Sequence, residues 1–143
     1  MVRRFVRWAL AAIYAVAAVA HWLAPAPFVA IVPGWVPWPG AVVALTGVAE
    51  GLGAVALVQP WSARLRRAGA AGLALYALCV WPANLNHLLI DLARGDGSGL
   101  PLAYHLPRLA AQPLLIWAAL WAGEVTDWPF GRAGRSSGGP SRG

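Results

Sequence analysis

The chain has 143 residues, of which 59% are hydrophobic and 11% charged, and its mean hydropathy is +0.60. This composition excludes an ordinary soluble domain, and four long apolar segments predict an all-α, polytopic membrane protein. Its net charge of +6 comes from arginines that stand at the ends of apolar segments. Since nucleic-acid binding needs basic residues interleaved with exposed polar ones, this arrangement points to a lipid bilayer as the partner, not to nucleic acid.

The first apolar segment follows Arg3, Arg4 and Arg7, and it predicts a helix over residues 5–24. A cleaved signal peptide is an alternative, because residues 18–20 match the small-residue cleavage pattern. The apolar character continues past that point and further segments follow. We therefore expect a retained first span.

Residues 25–40 contain five prolines and two glycines, so we expect no helix there. The second predicted helix, 41–59, carries Glu50 near its middle. A carboxylate at bilayer depth is costly and usually faces a bundle interior, which makes Glu50 the leading functional candidate. Gly47 and Gly51 lie four residues apart on one helical face and predict the close approach of another helix.

The third predicted helix, 68–90, contains Pro82, where we expect a kink. A polar loop over 91–105 leads to the fourth predicted helix, 106–125, with Pro107 in its first turn. Residues 1–130 thus form one predicted membrane domain. The Gly, Ser and Arg tail, 131–143, is predicted to be disordered.

The distribution of the arginines predicts the orientation in the membrane. Three groups lie on one side of the four predicted spans: Arg3, Arg4, Arg7; Arg64, Arg66, Arg67; Arg132, Arg135, Arg142. Arg94 and Arg108 lie on the other side. Because arginine-rich ends remain in the cytoplasm, both termini should be cytoplasmic, in a four-span protein of a cell membrane.

Polar residues of all four predicted helices fall in one leaflet. With a rise of about 1.5 Å per residue, Glu50 lies near the midplane and the others lie towards the outer side. The candidate ligand-binding residues are His21, Glu50, Asn84, His87, Arg108 and Gln112. They predict either an outward-facing polar cavity or a set of hydrogen bonds that join the helices. Of the remaining polar positions, the lone Cys79 is predicted to be buried, and the spacings give no complete metal-ligand set.

Several short motifs resemble the DoxX family of small bacterial inner-membrane proteins. The resemblance covers roughly residues 10–122 and is carried by His21, the proline-rich 32–37 loop, and the segments 46–53, 81–84 and 108–114. It implies a four-helix membrane protein, associated in some branches with redox systems. Other membrane or redox subunits would then be partners.

Four functions remain open on the sequence alone. The first is binding of a quinone or another small apolar molecule, with Trp22 and Trp81 in an aromatic wall. The second is proton-coupled transport by means of Glu50. The third is a haem held by His21 and His87. The fourth is a non-catalytic assembly partner whose glycine face packs on another subunit, and whether the protein is an enzyme stays undecided.

Overall fold

The computed structural model describes residues 1–131, and the predicted disordered tail lies outside them from residue 132 onward. The described part is all-helical, with no strand. Its five helices are α1 (Val2–Leu23), α2 (Ala26–Ala30), α3 (Pro39–Val58), α4 (Ala63–Ala93) and α5 (Leu102–Ala122). The all-α prediction is confirmed for these residues.

Proline and capping residues set the boundaries of the helices. Pro39 is the first residue of α3, where its missing N–H costs nothing, and Pro60 lies just beyond its end. The Ser62 hydroxyl caps α4 by accepting a hydrogen bond from the Leu65 N–H. Gln59 holds this turn, because its side chain exchanges hydrogen bonds with the Ser62 backbone at 2.7 and 2.8 Å.

Four details of the predicted secondary structure were wrong. The third predicted helix, 68–90, begins earlier, at Ala63, because Ser62 caps it there, so Arg64, Arg66 and Arg67 lie on α4. The proline-rich segment 25–40 contains the short helix α2, since Pro27 stands in its first turn, where proline is tolerated. The 91–105 loop is shorter than predicted, because α4 continues to Ala93 and α5 begins at Leu102. Pro107 consequently lies in the second turn of α5. It is not in the first turn, where the backbone N–H groups have no partner within the helix and proline costs little.

The four long helices form a ring in the order α1, α3, α4, α5, and α5 returns to contact α1. At one end, which we call the arginine end, the starts of α1 and α4 meet the end of α5. Glu124 accepts hydrogen bonds from Arg7 at 2.8 Å and from Arg66 at 2.9 Å. Above these ion pairs lies an apolar core that includes Leu57 and Leu73, both fully buried.

Glycines bring the helices together, as the sequence predicts, but within this chain. A Cβ on Gly47 would lie 2.9 Å from the Trp22 ring of α1, and one on Gly53 would overlap Leu73 of α4. Gly51 faces Ala18. The glycine face therefore packs on the chain's own helices, and an assembly role would need another surface.

Three helices, α1, α3 and α4, are long and apolar enough to cross a membrane, which indicates a membrane protein. Their outward side chains include exposed Val16, Leu52 and Leu75, as expected of surfaces that face lipid. Among the described helices, α5 does not reach the same apolarity, because it carries His105, Arg108 and Gln112. A fourth span therefore remains a prediction.

Candidate functional site

A cavity of about 430 Å³ lies between the four long helices, in the half of the bundle away from the arginine end. Five of the six predicted site residues line it: His21 from α1, Glu50 from α3, Asn84 from α4, and Arg108 and Gln112 from α5. Each of these helices contributes at least one polar side chain. The sixth residue, His87, does not line the cavity. The predicted convergence is present, and whether these residues bind a ligand stays a prediction.

Glu50 is 3% exposed and contacts two helices. Its Oε1 accepts a hydrogen bond of 2.7 Å from the Tyr76 hydroxyl of α4. The second oxygen, Oε2, lies 2.9 Å from His21 Nδ1, but that nitrogen is also 2.8 Å from the Ala17 carbonyl oxygen. Both neighbours are acceptors, so Nδ1 carries the proton. The hydrogen bond is made to the Ala17 carbonyl oxygen, and Oε2 is a close neighbour of the same nitrogen. Oε2 thus has no hydrogen-bond partner among the described residues.

Gln112 repeats this feature on the opposite side of the cavity. The residue is 6% exposed, and its side-chain oxygen has no hydrogen-bond donor within the described part of the chain. Buried polar atoms are nearly always paired in proteins, by protein groups or by water. Two unpaired acceptors, Glu50 Oε2 and Gln112 Oε1, and the unpaired hydroxyl of Tyr14 therefore distinguish this cavity from a set of helices held by mutual hydrogen bonds.

The segment between α1 and α3 forms the apolar wall. Phe28 of α2 stacks on the His21 ring, with centroids 3.9 Å apart, and Ile31 and Trp35 line the cavity beyond it. Asn86 of α4 fixes this segment by donating a 3.0 Å hydrogen bond to the Ile31 carbonyl oxygen. Phe28 and Trp35 take the place of the expected aromatic wall, because Trp22 and Trp81 do not line this cavity.

Cys79 also lines the cavity, and its predicted burial was wrong because it is exposed. Position 79 follows the apolar pattern of α4, but that pattern does not distinguish a core face from a face that borders a cavity. Cys79 is the only cysteine in the chain. A thiol reagent would therefore report directly on this cavity.

A second polar cluster lies outside the cavity, between the end of α4 and the start of α5. His87 Nε2 and His105 Nε2 lie 3.3 and 3.0 Å from the same Asp91 oxygen, Oδ2. Arg108 joins the cluster to the cavity, since its guanidinium donates to His87 Nδ1 at 2.8 Å while its side chain lines the cavity. His87 and His21 belong to different clusters, so the structure does not bring the two proposed haem ligands together.

Sequence reasoning missed four polar participants. Tyr14 and Tyr76 are not among the predicted site residues, yet the Tyr76 hydroxyl donates a hydrogen bond to Glu50. The Tyr14 ring lies edge-on to the Tyr76 ring, with centroids 6.2 Å apart. Asp91 and His105 were placed in a loop. The i, i+4 spacing of His87 and Asp91 was the available signal, because it places both side chains on one helical face.

Comparison with known proteins corrects the family assignment. No curated protein and no solved structure matches the chain. A family model described as a domain of unknown function, DUF8561, matches residues 10–123. The DoxX assignment was therefore wrong: its short motifs are common helix-packing and turn patterns, and none of them specifies a family alone. The chain belongs to the family described as domain of unknown function DUF8561.

Proposed function

We propose that the protein is a membrane-embedded binding protein for a small, mostly apolar molecule with a polar head group of the quinone type. The observation that carries this proposal is the cavity of about 430 Å³ with the unpaired Glu50 Oε2 in its wall. Pockets for small molecules usually measure about 300–1,000 Å³ and combine apolar walls with a few polar groups. Association with redox subunits depended on the DoxX resemblance and is not proposed.

The polar groups favour the reduced, hydroxyl-bearing form of such a head group. Glu50 Oε2 and Gln112 Oε1 are acceptors without a described donor, so a ligand hydroxyl satisfies them. Arg108 is a donor only, and it suits an oxygen at the other end of the ring. We therefore expect a quinol to bind more tightly than the corresponding quinone, which offers acceptors alone.

We further propose four spans, with both termini in the cytoplasm and the cavity open to the outer side. The ion pairs of the arginine end support an even number of crossings, since they join the starts of α1 and α4 to the segment after α5. With 21 residues, α5 has a length of about 31 Å, enough to cross the hydrocarbon core. Its polar residues would face the cavity and not lipid.

Proton-coupled transport is supported less well than binding. A transporter must open its cavity to both sides of the membrane in turn. Below Glu50, the bundle is filled by Leu57 and Leu73, which are 0% and 1% exposed, and it is closed by Arg7, Arg66 and Glu124. The described residues form no second opening on that side. The geometry therefore supports binding better than transport.

Protection of the single cysteine would test the proposal. The reaction of Cys79 with N-ethylmaleimide would be timed by mass spectrometry in detergent, without oxygen, with and without duroquinol or duroquinone. Both rings are fully substituted, so the thiol cannot add to them. We expect duroquinol to slow the labelling several-fold, and duroquinone to slow it less. Glu50→Gln should abolish the difference between them, because an amide no longer provides two acceptor oxygens.

Glu124→Gln provides the matched control, because it makes the same substitution outside the cavity. It should leave the protection by duroquinol unchanged. The binding proposal fails if neither compound alters the labelling rate of the wild type. If duroquinol protects the wild type and Glu50→Gln equally, a ligand still binds in the cavity, but Glu50 does not contribute to its recognition.

A further inference from the structure

The cluster at the junction of α4 and α5 has the donor set of a metal site. His87 and Asp91 stand on one face of α4, and His105 of α5 faces them. One ligand atom from each of the three residues lies within 4.8 Å of the other two. The Asp91 side chain is 3% exposed and that of His105 1% exposed. Two imidazoles and a carboxylate are thus held together in a largely buried position.

The distances within this cluster match those between ligands of one ion. Zinc binds histidine nitrogen and carboxylate oxygen at about 2.0–2.2 Å, so tetrahedral ligands stand about 3.3 Å apart. The two Nε2 atoms lie 3.0 and 3.3 Å from Asp91 Oδ2. We propose that His87, Asp91 and His105 bind one divalent transition-metal ion, zinc being the best fit to two imidazoles and one carboxylate.

The groups around Asp91 are compatible with this role. Arg94 Nε lies 3.6 Å from the other carboxylate oxygen, Oδ1, which leaves Oδ2 to face the histidines. The Leu100 N–H donates to Oδ2 at 3.2 Å and fixes the carboxylate in place. Gly99 lies so close that a Cβ there would stand 2.7 Å from the Asp91 carbonyl oxygen. Such outer contacts orient the ligands of a metal.

Arg108 makes the binding conditional. Arginine has no acceptor, so its 2.8 Å bond to His87 Nδ1 requires Nδ1 to be unprotonated and Nε2 to carry the proton. A metal on Nε2 needs the opposite tautomer, with the proton on Nδ1. Metal binding must therefore release Arg108 from His87. Arg108→Gln should bind metal more tightly than the wild type, because the glutamine oxygen can accept a hydrogen bond from the Nδ1–H.

Cobalt provides the test. The full chain, purified with a tag that contains no histidine and stripped with a chelator, would be titrated with Co²⁺ while visible absorption is recorded. We expect one ion per chain, with the intense bands of a four-coordinate site, and displacement by Zn²⁺. Asp91→Asn and His105→Gln should weaken binding by about tenfold or more, since even the loss of an outer contact costs 10- to 100-fold. Asp96→Asn, which changes an exposed carboxylate of the same loop, should leave binding unchanged.

X-ray absorption at the zinc edge of the wild type would test the ligands independently of any variant's folding. Two imidazoles with oxygen and no sulfur are expected. Absence of cobalt bands in the wild type would overturn the proposal, even if Arg108→Gln bound the ion. Unchanged affinity in Asp91→Asn and His105→Gln, or a zinc spectrum with sulfur or a single imidazole, would overturn it equally.

Discussion

The carboxylates Glu124 and Glu50 stand between helices at different levels of the bundle and have opposite surroundings. Glu124 has a side chain that is 33% exposed, yet both of its oxygens accept hydrogen bonds from arginines, Arg7 and Arg66. The Glu50 side chain is only 4% exposed, and its one hydrogen bond comes from the neutral hydroxyl of Tyr76. Its other polar neighbour is a single imidazole, His21, whose Nδ1 lies 2.9 Å from Oε2. The more deeply buried charge therefore has the weaker partners. An arrangement selected only for stability would show the reverse, because an incompletely paired buried charge is costly.

Packing differs between the same two regions. At the arginine end, glycines allow direct contact: a Cβ on Gly123 would overlap the Ala70 Cβ, and one on Gly69 would overlap the Ala56 Cβ. At the level of Glu50, the helices separate around the cavity. One half of the bundle stabilises the fold, and the other half retains space and unused hydrogen-bonding capacity.

The largest effect on stability is expected from Gly123→Ala. Gly123 has an ordinary φ of −78°, so close contacts and not backbone conformation require a glycine, above all the contact with Ala70. The added methyl group must push α5 away from α4, and we expect a loss of about 1–3 kcal/mol in the free energy of unfolding. Thermal unfolding in detergent would measure it.

Gly72→Ala is the control, because it makes the same substitution at an exposed position of α4 where nothing lies within 4 Å of a new Cβ. Alanine favours the helix over glycine, so this variant should gain up to about 1 kcal/mol. Changes of the same sign and size in both variants would show that the close approach of Ala70 does not require a glycine at position 123.

A smaller loss is expected from Glu124→Gln. Burial alone would raise the pKa of Glu124, but hydrogen bonds and charges from Arg66 and Arg7 outweigh it and hold the pKa below its usual value of 4.5. A lowered folded-state pKa stabilises the protein above about pH 4.5, and this contribution disappears as the pH falls through the folded-state pKa. We expect the variant to lose about 1 kcal/mol at neutral pH, a value reduced by partial exposure.

The pH dependence separates this effect from a general loss of packing. Thermal unfolding of both proteins would be compared from neutral pH to below about pH 4. The difference between them should be largest at neutral pH and should shrink in acid, where the wild-type carboxylate becomes protonated. A difference that is constant over the whole range would contradict the ion-pair explanation.

Sequence reasoning succeeded where one physical rule determines the outcome. Apolar length predicted the long helices, and the cost of a charge in lipid predicted that Glu50 faces the bundle interior, where it is 3% exposed. The i, i+4 spacing of Arg108 and Gln112, two of the predicted site residues, places both on one side of α5, where both line the cavity. These inferences need only the period of a helix and the depth of a residue.

It failed where the answer depends on the rotation of one helix relative to another. Asn84 and His87 share a face by spacing, but only Asn84 reaches the cavity, because His87 turns towards Asp91 and Arg108. Tyr76 was not among the predicted site residues, since an aromatic ring in an apolar helix gives no sign of the carboxylate that it contacts. The family resemblance was misleading for a different reason. Glycines and prolines reflect local packing and turns, which unrelated helical proteins share.

The smallest effect on stability is expected from Glu50→Gln, although the same substitution at Glu124 is destabilising. Glutamine can keep the hydrogen bond from Tyr76, and it removes a buried charge whose second oxygen has no described donor. Replacement of a poorly compensated buried charge is often neutral or stabilising. We expect the free energy of unfolding to change by less than about 0.5 kcal/mol or to rise, measured beside Glu124→Gln at neutral pH. A loss as large as that of Glu124→Gln would show that Glu50 stabilises the fold. An unchanged or higher stability would mean that the chain keeps Glu50 for what the cavity binds, because sites that serve binding commonly cost stability.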